Sequence, residues 1–457
     1  MSTSGTTLTR LTREQAGRPA APVRIVHLGL GNFSRAHLAW YTSHAPDAGQ
    51  WGIAAFTGRS PALAEQLRPQ DGLYHLVVRD PAGDRIELID SLSAVHAAGD
   101  HAAWLSYFAD PAVCIVTSTI TEAGYRSVGG RLAASDPEVA ADLEALRSDR
   151  TAPVATAPAR FLAGLLARRD AGAGPITFCP CDNMPHNGDV VLGVLRDAAQ
   201  AVDPSLLGWI DGHVTVVTTM VDRITPRPDP ALGTLVAAST GVQDAAAVET
   251  EPFSEWVLSG TFAGGHPDWA AAGATFTDDI APFEERKLRL LNGAHTLMAY
   301  AGPLLGCETV RDAIEHPRVG AWVDQWWAEA RRSIDLPASE LDDYVAALRM
   351  RFANPRIRHL LAQIAADGSQ KVAIRAVPVL RSERDAGRSG AASCRTIAAW
   401  VLHLRGHGVP VQDAGVAGWD DVREEPLSDA VAHVLERLGV YDPDVARLVA
   451  TLAEEME

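Results

Sequence analysis

Hydrophobic residues in the first 280 positions fall in short continuous runs separated by polar, helix-like stretches. Residues 23–30 (Val-Arg-Ile-Val-His-Leu-Gly-Leu) follow Pro22 and read as a strand buried on both faces, the texture of a parallel sheet. Comparable runs lie at 51–57, 86–89, 113–118, 176–179 and 214–220. Helical periodicity is carried by 35–43, by 138–147 just after Pro137, and by 160–169. Strands alternating with helices predict a mostly parallel α/β sheet. Beyond about 280 the pattern changes to amphipathic stretches at 321–334, 339–352, 391–404 and 427–438, with Pro and Gly between them. The chain therefore reads as an α/β nucleotide-binding domain over 23–280 and a mostly α-helical C-terminal domain over 281–457, which would carry the substrate and catalytic groups.

Composition narrows the class. With 457 residues, 47% hydrophobic and 21% charged, the chain has enough apolar surface for two or three folded domains. No apolar run approaches a membrane span. The first 22 residues are rich in Ser, Thr and Arg without an apolar stretch and are expected to form a flexible tail; a transit peptide is the alternative. A net charge of −17 argues against nucleic acid or an anionic membrane as partner. Five scattered cysteines imply a reduced, cytoplasmic protein rather than a disulfide framework.

Only two of the 40 cations are lysines, Lys287 and Lys371, and asparagine occurs only at 32, 183, 187, 292 and 354. Genomic base composition accounts for most of this skew. It still filters, because a lysine amine can titrate where a guanidinium cannot. Tyr-x-x-x-Lys chemistry is excluded, since Phe283 and Asp367 stand four residues before the two lysines. Zinc chemistry finds no Cys-x-x-Cys or His-Glu-x-x-His, so no metal is expected.

Four segments carry candidate chemistry. Gly29-x-Gly31-x-x-Ser34 lies between the first strand and a helix start, where glycines let a backbone approach a pyrophosphate. The second strand ends Phe56-Thr57-Gly58-Arg59-Ser60, lacking the carboxylate that normally holds the ribose of NAD; Arg59 and Ser60 leave room for a 2′-phosphate. The strand at 176–179 runs into Asp182-Asn183-Met184-Pro185-His186-Asn187-Gly188, a polar loop on the ligand side of such a sheet, though these are also ordinary turn residues. In 287–295, at about 100° per residue, Asn292 lies about 140° and His295 about 80° from Lys287, on one side of a helix. A solvated helix face is the alternative reading.

Together these segments resemble the mannitol dehydrogenase family of polyol-specific long-chain dehydrogenases. The resemblance spans Gly29 to His37, Gln70 to Tyr74, Thr119 to Tyr125, Cys181 to Gly188, Val221 to Pro226, Glu251 to Val257, Lys287 to His295 and Asp367 to Lys371. It implies a Rossmann-type domain, a helical C-terminal domain and metal-free hydride transfer to NAD, with NADP as an option. It also implies roles: Lys287 as general base, Asn183 and Asn292 as the amides holding the developing alkoxide, His295 as a substrate-hydroxyl partner, Asp222 in proton release, and Lys371 along the substrate chain. Beyond the resemblance, Lys371 with Arg375 could receive a carboxylate or phosphate as readily as a hydroxyl, so Arg375 is a further candidate for substrate binding. Gly29, Gly31, Asn32, Phe33, Arg35 and Arg59 would serve the cofactor. Three positions depart from the family's pattern: Gln363 in place of Arg, Ala373 in place of Pro, and Ser259-Gly260 in place of an acidic pair. The first two bear on the substrate.

The chemistry is consistent with this. Preorganised amides can stabilise an alkoxide without a metal, and burial would lower a lysine toward the range of a useful base. The expected reaction interconverts a polyol or sugar acid and its ketose or keto-acid, with D-mannitol to D-fructose first. Fructuronate or tagaturonate reduction, arabinitol oxidation and mannitol 1-phosphate oxidation are the alternatives, and a catalytically silent nucleotide- or sugar-binding protein is the rival from another class. A monomer is expected.

Overall fold

Five of the continuous apolar runs pair in one sheet because both of their faces are covered. In the computed structural model, which describes residues 9–457 except 228, 418 and 420, the chain divides into two compact units, Met1–Ile280 and Ala281–Glu457. The first unit holds an eight-stranded sheet: β1 (Val23–Leu28), β2 (Gly52–Phe56), β3 (Leu92–His96), β4 (Ile115–Ser118), β5 (Ile176–Pro180), β6 (Val214–Asp222), β7 (Glu255–Gly260) and β8 (Thr275–Phe276). Their order across the sheet is β8-β7-β6-β5-β4-β1-β2-β3. The six strands β1 to β6 are parallel, and β7 adds antiparallel to β6. This 3-2-1-4-5-6 order is the Rossmann arrangement, with its switch point between β1 and β4. Successive residues of β1 face opposite layers: Ile25 packs with Tyr41, Trp256 and Trp269, Val26 with Phe56, Trp104 and Phe161.

Three sequence expectations change. Residues 86–89 belong to strand Gly83–Ile89, which hairpins with Tyr74–Asp80 in a separate three-stranded sheet; the third Rossmann strand is β3. The helix expected over 35–43 is two helices, Asn32–Ala36 and Leu38–His44, broken at His37, whose Nε2 lies 3.1 Å from the Glu255 carbonyl. Residues 9–22 are docked, not a loose tail. Thr9–Arg10 pairs with Val242–Gln243. The Arg13 guanidinium donates to the carbonyls of Arg18, Pro19, Asp71, Asp90 and Leu92, a tie that composition does not reveal. Residues 1–8 of the expected tail lie outside the described residues.

The second unit is helical. Helices Gly293–Leu304 and Ala391–Leu404 are apolar nearly all round and are correspondingly buried. Pro317–Ala330, Ala338–Phe352, Leu427–Arg437 and Pro443–Glu454 present apolar stripes to them. Between helix Ala281–Arg286 and helix Gly293–Leu304 the chain makes a turn of π-helix, Lys287–Asn292. Among the described residues no helix is long and apolar enough to cross a membrane.

Candidate active site

The glycine turn follows β1 at the switch point. Gly29 has φ 103°, and a Cβ there would lie 2.3 Å from the Thr119 carbonyl oxygen. Gly31 has ordinary extended dihedrals, and its nearest neighbour would be 3.6 Å away. Gly29 is therefore required by the protein, whereas the open space over Gly31 suits a ligand backbone approach. Ser34, in place of a third glycine, closes the turn: Gly31 N–H donates to its Oγ at 3.0 Å. Buried Arg35 donates to the carbonyls of Gly31 and Ala246 and to the Asn32 amide oxygen, so it holds the turn from behind. Phe33 stacks on His37. Below, the buried His27 ring lies 2.9 Å from Thr117 Oγ1 and 3.1 Å from Thr119 Oγ1, and the latter donates to the Gly29 carbonyl.

Beside the turn is a cavity of about 850 Å³ lined by Gly29, Gly58, Arg59, Thr119, Ile120 and Arg160, among others. Arg59 is exposed at its edge and also borders a second hollow with Asn32, Arg35 and Ser60. These residues fit the adenosine half of a dinucleotide. Arg160 was not legible in the sequence. It is 3% exposed, its guanidinium lies 4.7 Å over the Trp104 ring, and its Nη2 has no hydrogen-bond partner. Burial lowers it to about 10.

The polar loop after β5 is pinned from both sides. Asp182 accepts from Tyr125 Oη, from Ser118 Oγ at 2.7 Å and from the Ile120 N–H, and burial raises its carboxyl to about 6. The Asn187 amide donates to the carbonyls of Asp182 and Thr219 and accepts from Thr219 N–H. Asn183 is exposed on the loop so fixed, and Asp222 is buried at the end of β6, the neighbouring strand.

In the helical unit, Lys287 and Asn292 bound the π turn and His295 follows one turn on. The Gly293 N–H donates to the Leu288 carbonyl, the i→i+5 bond of a π-helix. At about 4.4 residues per turn through Asn292 and about 3.6 in the α-helix beyond it, Asn292 falls about 50° and His295 about 10° from Lys287, in place of the 140° and 80° of an unbroken α-helix. The three groups are drawn into one narrow stripe. His295 is buried against Phe352, ring centroids 4.7 Å apart, and its Nε2 has no hydrogen-bond partner. Burial, then His359, Arg351, Arg375 and Lys287, hold it well below its ordinary value, so the ring is neutral. Arg375 Nη1 donates to the Asn292 carbonyl at 3.3 Å and Thr296 Oγ1 at 3.1 Å. Lys371 Nζ donates to the carbonyls of Ile364 and Ala366, and burial, then Arg375, lower its amine. Asp421, Glu425 and His433 form a group of metal-ligand types elsewhere in this unit, on helices Asp421–Glu424 and Leu427–Arg437 and the bend between them.

Buried histidines set the pH response of the fold. Burial lowers His27 to about 3 and His403 to about 4, and depresses His359. Below about pH 6.5 the unfolded chain takes up protons that these folded rings refuse, so stability is lost as pH falls, at up to about 1.4 kcal/mol per pH unit per histidine. Asp182 has the opposite sign, because its folded carboxyl takes up a proton first; it offsets about one histidine between pH 6 and 4. Calorimetry should show a melting temperature several degrees lower at pH 5 than at pH 7. Equal values would mean these rings are protonated in the fold.

Residues 23–271 match the family described as the mannitol dehydrogenase Rossmann domain, and residues 279–457 match its mannitol dehydrogenase C-terminal domain. The D-mannonate oxidoreductase of Escherichia coli strain K12 is 35% identical over 440 residues, covering 92% of this chain and 89% of that protein. The mannitol 2-dehydrogenase of Cereibacter sphaeroides is 34% identical over 386 residues, covering 82% and 80%. The ternary complex of Pseudomonas fluorescens mannitol 2-dehydrogenase with NAD and D-mannitol superposes with a TM-score of 0.81 at 30% identity, covering 99% of this chain and 94% of that one.

Proposed function

We propose, from the premise that this chain belongs to the mannitol dehydrogenase family, that it oxidises D-mannitol to D-fructose with NAD and without a metal. That it is a dehydrogenase of CH–OH groups in polyols or sugar acids follows from the family itself. The observation that carries the residue assignment is the π turn, which aligns Lys287, Asn292 and the neutral His295. NAD, when bound, accepts the hydride. The chain's own groups manage the oxygen. Lys287 takes the hydroxyl proton, the Asn292 amide donates to the oxygen as charge develops, and neutral His295 pairs with a neighbouring hydroxyl. By resemblance, Asn183 has the same task as Asn292, Asp222 relays the released proton, and Lys371 meets the far end of the substrate.

A second reading takes a sugar acid such as D-mannonate. It is favoured by the cations Arg351 and Arg375 within electrostatic reach of His295, where a carboxylate would be welcome. Reduced-nicotinamide absorbance with D-mannitol, D-arabinitol and D-mannonate, each with NAD and NADP, tests the proposal. D-mannitol turned over best supports it, D-mannonate turned over best selects the second reading, and no reduction with any of them removes both.

Cofactor choice gives a separate prediction. With no carboxylate after β2, a 2′-phosphate meets no repulsion, and Arg59 offers it a charge-assisted partner. NAD use with measurable NADP use is expected. Arg59→Ala should lower kcat/KM for NADP by roughly 10-fold or more while changing NAD by less than about 3-fold, a loss of order 1.4 kcal/mol. An unchanged NADP/NAD ratio would show that Arg59 does not read the cofactor.

A further inference from the structure

The π turn is a costly element. Its wide register strains the backbone relative to an α-helix, so it persists only where surrounding groups impose it. Those groups are visible. Trp326 Nε1 donates to the Arg289 carbonyl at 2.8 Å, and Trp327 Nε1 donates to the Leu290 carbonyl at 3.0 Å. Arg375 Nη1 and Thr296 Oγ1 both donate to the Asn292 carbonyl, at 3.3 and 3.0 Å. Three of the six carbonyls of the turn are thus held by side chains from two other helices, Pro317–Ala330 and Gly368–Arg375, and from the helix that follows. Both indoles are buried. The fit extends to Gly293, where a Cβ would lie 2.3 Å from Trp326 Cζ2; only glycine lets the indole lie against the turn.

We propose that Trp326, Trp327 and Arg375 are positioning residues whose hydrogen bonds hold the Lys287–Asn292 turn in its π register, and so place the base and the amide on one side. They act through the backbone of the turn and need not touch the substrate. Arg375 accordingly serves as a splint for Asn292. The inference rests on the reading of Lys287 and Asn292 as the reacting pair for its kinetic consequence, but not for its structural one. Without the three donors, the turn gives up its i→i+5 bonds, and Lys287 and Asn292 drift toward the wider separation of an α-helix.

The test uses the full chain carrying Trp326→Phe/Trp327→Phe, with Gly293→Ala as a second variant that keeps both indoles but displaces the first. Hydrogen exchange followed by mass spectrometry should show amides of 288–294 exchanging at least tenfold faster in both variants. NADH affinity, read by fluorescence, should stay within twofold, since the glycine turn belongs to the other unit. On the substrate selected by the panel above, kcat should fall at least tenfold with little change in the cofactor KM. Arg375→Lys, which keeps one donor, should retain more activity than Arg375→Met. Unchanged exchange in both variants overturns the proposal. So does undiminished kcat in both variants when Lys287→Ala is inactive. Faster exchange together with a fully active Lys287→Ala would instead uphold the splint and remove Lys287 from the mechanism.

Discussion

Lys287→Ala is expected to lower turnover by ~10²–10⁴-fold while leaving NADH binding within about twofold, because a positioned acid–base group is lost and the glycine turn is untouched. Lysine is the residue to expect at such a point. It is one of only two lysines among the 40 cations in the chain, and it opens the stripe that also holds Asn292 and a neutral His295. Lys287→Arg separates the two functions of the side chain. A guanidinium keeps the charge but cannot deprotonate, so this variant should be nearly as inactive as the alanine. Steady-state kinetics across pH 6–10 would check both variants. Turnover within about threefold of wild type for either one would assign the proton to another group.

Gly29→Ala should have the largest effect on the nucleotide-binding unit. The residue would carry a Cβ at φ 103° and drive it to 2.3 Å from the Thr119 carbonyl oxygen, on backbone that has nowhere to move. A loss of about 2–4 kcal/mol of stability is expected from strain and overlap together. Gly31→Ala is the contrast. No protein atom lies closer than 3.6 Å to its added Cβ, so stability should change by less than about 0.5 kcal/mol. Its cost should fall on the ligand, with NADH binding weakened at least tenfold. Thermal melts and NADH titrations distinguish the two. If Gly31→Ala binds NADH as the wild type does, the cofactor does not approach that backbone.

The strands of the Rossmann sheet were legible because a strand buried on both faces must be apolar throughout, as Ile25 and Val26 are in packing into opposite layers. β3 was not: Leu92-Ser93-Ala94-Val95-His96 is short and mixed, and the strand just before it in the chain, which belongs to another sheet, carries the more apolar run at 86–89. The helical unit was legible from its periodicity, since its stretches near 321, 339, 391 and 427 became helices within a few residues. The π turn was hidden for a physical reason. Its extra residue leaves no mark within 287–295, and the groups that hold it are two tryptophans and an arginine some 35 to 85 positions away. Arg13 and Arg160 were illegible likewise. In a chain whose cations are nearly all arginine, composition does not distinguish a guanidinium that seals five carbonyls from one on the surface.

The scarcity of lysine has a practical side. Both side-chain amines belong to the helical unit, one at the start of the π turn and the other donating to two main-chain carbonyls. Reductive methylation with isotopically labelled formaldehyde would therefore give a carbon-13 spectrum with two side-chain signals, where most proteins of this size give dozens. Each signal could be followed alone as substrate or cofactor is added. A chain so poor in lysine is thus its own spectroscopic probe, with both side-chain labels in the helical unit.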